Sequence, residues 1–108
     1  MSNIELSENE LAGENLVETW LSGNSYKNII KENLQKNEIV LIAKGNIESI
    51  LVRVKTFVHP QGIYKLSEYD IDKTKRRAAR QKRIAYVAYV VIDTDKNLVG
   101  EILWERLG

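Results

Sequence analysis

The chain has no cysteine, a single histidine (His59), a single proline (Pro60) and no uninterrupted apolar run longer than the nine residues 84–92. Without thiols there is no thiolate metal site, no cysteine nucleophile and no disulfide scaffold. One histidine makes a histidine-based zinc site or a Ser-His-Asp arrangement a poor fit. Nine apolar residues are too few to cross a bilayer as a helix. Glycine is scattered: Gly23, Gly45, Gly62 and Gly100 stand alone, so no glycine-rich phosphate loop is present. The acidic opening MSNIELSENELAGEN lacks the basic and apolar segments of a secretion signal. The expectation is a soluble cytoplasmic protein with no membrane partner.

What the chain does have is a globular composition: 108 residues, 44% hydrophobic and 29% charged. That length and balance predict one domain spanning residues 1–108. The net charge of +1 hides an asymmetry. Residues 1–50 carry four Lys/Arg against eight Asp/Glu, whereas residues 51–108 carry twelve against seven. Seven basic and no acidic residues fall within the eleven from Lys73 to Arg83. Such clustering attracts polyanions but says nothing of fold.

Ser7 and Glu10 have capping-box spacing, and Leu11, Leu16, Val17, Trp20 and Leu21 mark the apolar face of a helix that breaks at Ser22-Gly23-Asn24-Ser25. Tyr26–Ile30, Ile39–Ala43 and the alternating Ser49–Val58 read as strands, the last two joined as a hairpin through Lys44-Gly45-Asn46. A basic helix is expected from about Asp70 to Arg83, followed by a doubly covered strand Ile84–Ile92. Asp93–Asn97 reads as a turn and Leu98–Trp104 as a last strand. The order predicts an α/β fold, a central mixed β-sheet flanked by helices.

Period-two geometry places Arg53 and Lys55 on one face of their strand and Val52 and Val54 on the other. Two cations with Cβ atoms about 7 Å apart repel by roughly 2 kcal/mol at an effective dielectric near 20. The fold is therefore expected to supply an anion there, either Glu14 or Glu38, or a bound phosphate. On the basic helix, Lys73, Arg76, Arg77, Arg80 and Arg83 share one stripe, with only Ala78 and Ala79 opposite. Arginines arrayed on one face suit bidentate phosphate contacts. Tyr86 and Tyr89 fall on opposite strand faces, His59 lies in a loop, and Trp104 either closes the core or anchors a dimer contact.

Gly13-Glu14 on the first helix, the strand EIVLIA, the hairpin and VRVKT resemble the small, single-domain, resolvase-like branch of the PD-(D/E)XK restriction-endonuclease-like nucleases. The resemblance implies an αβββαβ core in which an Asp on the second strand and Glu-x-Lys on the third build a magnesium site, assisted by a Glu on the first helix. In that branch the strands read EIDLIA and VEVKT, with twelve residues between the Asp and the Glu. Val40 stands at the Asp position, Arg53 at the Glu position and Lys55 at the Lys position, with the same interval. Glu14 matches the helix acid. KRRAARQKR and AYVAYVVID are similar to the family's second helix and fourth strand, so the likeness spans about residues 11–105.

The departures alter the chemistry. Magnesium requires hard oxygen ligands, and local charge changes from −2 to +1 when an apolar group and a guanidinium replace two carboxylates. The expectation is a nuclease fold with no metal or other cofactor, binding nucleic-acid backbone, DNA ahead of RNA, through Arg53, Lys55 and the stripe Lys73, Arg76, Arg77, Arg80 and Arg83. A second reading is a Mg²⁺-dependent nuclease with carboxylates relocated to Glu14 and Glu38 beside Lys55. A third is an interaction module in which Arg53 is salt-bridged and a homodimer covers an edge strand.

Overall fold

The computed structural model describes residues 7–32 and 39–108. Helix α1 runs from Glu8 to Gly23 behind Ser7, whose hydroxyl accepts from the Glu10 amide while the Glu10 carboxylate accepts from the Ser7 amide. Strands β1 (Lys27–Lys31), β2 (Ile39–Lys44) and β3 (Ser49–Val58) follow, then helix α2 (Glu68–Arg80), β4 (Ile84–Ile92) and β5 (Leu103–Arg106). The five strands form one mixed sheet in the order β1-β2-β3-β4-β5, antiparallel except for the parallel pair β3–β4. The α/β class and the order αβββαβ are those expected, with β5 added at the edge.

Alternation along the strands builds two faces. Val17 and Leu21 of α1 pack on Leu41, Ala43, Ile50, Val52, Val54, Ala88, Val90 and Ile92. Ala78 of α2 covers Val40, Ile42, Leu51 and Ala85, and Leu66 joins Phe57, Val87 and Tyr89 beside it. Both central strands, β3 and β4, are thus coated on two sides, which explains the uninterrupted apolar run of β4. Tyr86 lies on the α1 face and Tyr89 on the α2 face, as expected. Gly13 is required by close approach: a Cβ there would overlap the Thr56 side chain on β3.

The bounds of α2 and β5 differ most from the sequence-based expectation, and β1 is shifted by one residue, to Lys27–Lys31. Helix α2 starts earlier, at the cap Ser67, and stops at Arg80, where Lys82 turns into the left-handed region (φ 56°). Ala79 is exposed, and the buried pair is Thr74 and Ala78. The Thr74 hydroxyl donates to the Asp70 carbonyl at 2.8 Å, so a residue that looks polar in sequence is buried at little cost. The last strand is short: Leu98 makes only an isolated bridge to Ile92, and regular pairing resumes at Leu103. Asp93–Asn97 turns as expected, with Asp93 Oδ1 accepting from the amides of Asp95 (2.8 Å) and Asn97 (3.0 Å). No helix among the described residues is long and apolar enough to span a membrane.

Candidate functional site

Strand β3 places Arg53 and Lys55 on the α2 face, and in the β2–β3 register Val40 sits directly across from Arg53. The two positions where the resemblance implies metal carboxylates are therefore cross-strand partners on one face, and they hold an isopropyl group and a guanidinium. Beyond them opens a cleft of about 690 Å³ between the second half of β3 and the first turns of α2. Arg53, Lys55 and Lys73 line it together with Glu10, Tyr64 and Asp70. Arg53 is only 6% exposed and forms part of the floor; Lys55 and Lys73 are half-buried on the walls. Lys55 lies with its Nζ 4.8 Å from the centre of the Tyr64 ring, a cation–π contact that holds the amine without neutralising it.

Glu14 is not among the side chains lining the cleft. It is buried (1% exposed) on the α1 side, where Lys31 Nζ approaches its Oε1 to 3.5 Å and Glu18 to 3.9 Å. Glu38 lies outside the described residues. Among those described, no three His, Cys, Asp or Glu side chains converge in a way that would hold a metal ion. Tested against the donor set a divalent cation needs, the Val40/Arg53 pair does not fit.

The basic stripe divides. At the helical repeat, Lys73, Arg76, Arg77 and Arg80 occupy an arc of roughly 100° turned away from Thr74 and Ala78. Arg76 and Arg80 are exposed, and Lys73 reaches the cleft. Arg77 is engaged internally: its Nη2 donates to the Glu32 carbonyl (3.2 Å) and to Glu32 Oε1 (3.1 Å), leaving the side chain 13% exposed. Gln81 donates to the same carboxylate oxygen at 3.1 Å. Arg83 lies beyond the helix, donating from Nε to Gln81 Oε1 (3.2 Å) and from Nη1 towards the Ala43 carbonyl (3.5 Å). Arg77 and Arg83 thus tie α2 to the sheet rather than extending the stripe.

Sequence reasoning missed Tyr64, Glu10 and Asp70 as cleft residues. The loop 59–67 that carries Tyr64 has no periodicity to follow, and the two acids come from separate helices. His59 is exposed and does not line the cleft. No protein-family model matches this chain, and no curated protein is similar enough to count as a match.

Proposed function

We propose that the chain is a catalytically inactive relative of the PD-(D/E)XK nucleases that binds nucleic-acid backbone, DNA ahead of RNA, at the former metal-binding face. The observation that carries this reading is Arg53, paired across the strands with the buried Val40, lining one cleft with Lys55 two residues further along and with Lys73. A phosphodiester is the anion this arrangement suits. Arg53 supplies fixed positive charge from the floor, while Lys55 and Lys73 supply compact donors at the walls. Arg76 and Arg80 extend the positive surface along α2. Glu10 and Asp70 line the same cleft, so among the described residues its charge is mixed, and affinity rests on a few phosphate contacts, independent of sequence and steeply weakened by salt.

The residues present provide no carboxylate pair at the two strand positions to hold the ion that would activate water, so hydrolysis is not part of the proposal. The test incubates duplex, single-stranded and branched DNA with the protein in magnesium or manganese. The expected result is retention on DNA with no cleavage products. Metal-dependent product formation that disappears on Glu14→Gln or Glu38→Gln would overturn it in favour of a nuclease with relocated acids.

A further inference from the structure

On the opposite face of the sheet, four aromatic side chains meet around a small cavity. Trp20 near the end of α1, Tyr26 before β1, Tyr86 on β4 and Trp104 on β5 line a space of about 160 Å³, with Ile50 as its apolar base. The two indole rings are in tilted contact, with centroids 4.6 Å apart and planes inclined by 43°. Tyr86 meets Trp104 edge-on, at 6.4 Å and 83°. Trp20 is the outer lip, 38% exposed. Glu48, in the turn before β3, accepts from the Tyr86 hydroxyl at 3.4 Å. Tyr26 is held over that turn: a Cβ on Gly45 would come within 2.8 Å of its ring.

We propose that this pocket binds a small quaternary ammonium group, its methyls against the aromatic walls and its charge compensated by Glu48. Ring faces carry negative quadrupole charge and attract a cation within about 6 Å of their centroids. Aromatic walls cannot satisfy the three N–H donors of a primary ammonium, whereas a trimethylammonium head has none to satisfy. The cavity has room for about five heavy atoms at the roughly 30 Å³ each that a water molecule occupies in the liquid, which is the size of such a head with its first methylene. Charge complementarity agrees, since the Glu48 carboxylate stands beside the pocket, accepting from the Tyr86 hydroxyl and close to the Tyr26 phenol. Burial, and after it the nearby Glu48 carboxylate, push the Tyr26 phenol above its ordinary value of 10.0.

The two tryptophans of the pocket are the only two in the chain, so intrinsic fluorescence reports on it directly. Tetramethylammonium and choline, titrated into the millimolar range, should each give a saturable change. The neutral isostere 3,3-dimethylbutan-1-ol should bind about threefold or more weakly. Glu48→Gln, checked for retained circular dichroism, should weaken choline while leaving the neutral isostere unchanged. A trimethyllysine tripeptide carries the same head, and the tighter of it and choline identifies the source. No saturable change with any cation, or equal binding of choline and its neutral isostere, overturns the proposal. Neither result bears on the cleft across the sheet, because no residue is shared.

Discussion

Replacing Arg77 by alanine removes a guanidinium that donates to both the main chain and the carboxylate of Glu32. The pair is largely shielded, so the variant should lose about 1–2 kcal/mol of stability in urea denaturation. The double variant with Glu32→Gln should cost less than the sum of the two singles. If Arg77 instead acted chiefly on nucleic acid, its loss would lower affinity and leave stability unchanged. Tyr26 makes a second prediction. Its phenol is raised above 10.0 by burial and by Glu48, so the folded state binds this proton more tightly than the unfolded chain does. That contribution is complete below the ordinary tyrosine value and is lost as pH climbs through and above it, so stability should fall above about pH 10. Tyr26→Phe should flatten the alkaline decline. Single residues were the least legible scale in the sequence. Arg53 and Lys55 on one strand face followed from period two alone, but nothing local showed that Glu14 would face Lys31 or that Arg77 would turn inward to Glu32. Those partners are set by how elements distant in the chain meet.

Helix α1 approaches β3 so closely that Gly13 and Thr56 are in contact. Gly13→Ala should cost about 1–3 kcal/mol through overpacking, offset only in part by the better helix propensity of alanine. Pairing it with Thr56→Ala should recover much of the loss, measured as the shift in thermal midpoint. An unchanged midpoint in Gly13→Ala would mean that the helix can retreat from the sheet. At this scale the sequence was highly legible wherever local chemistry and tertiary context agreed. The capping box at Ser7, the β2–β3 turn at Gly45 and the limits of β3 and β4 all follow from pattern. The ends of α2 and β5 did not, because helix formers continue past Arg80 and the residues after the Asp93 turn keep strand propensity without a continuous partner.

Across the whole molecule, one sheet separates two unlike surfaces. The α2 side presents the Arg53–Lys55–Lys73 cleft and the exposed Arg76 and Arg80, whereas the α1 side carries the aromatic pocket beside Glu48. The excess of acids in the first half of the chain and of bases in the second is converted into space by the crossover from β3 through α2 to β4. The fold class was legible because the alternation of helical and strand patterns admits few arrangements. The chemistry of the cleft was legible only in part, as Arg53 and Lys55 sharing one strand face, since its walls come from α1, β3, the loop at Tyr64 and α2. The most direct test of the central claim is the affinity for duplex DNA measured against salt concentration, for the native protein and for Lys55→Gln combined with Lys73→Gln. Binding through these side chains predicts that log affinity falls linearly with log salt and that the double variant's slope is shallower by about 2. An affinity and slope unchanged by the two substitutions would contradict it.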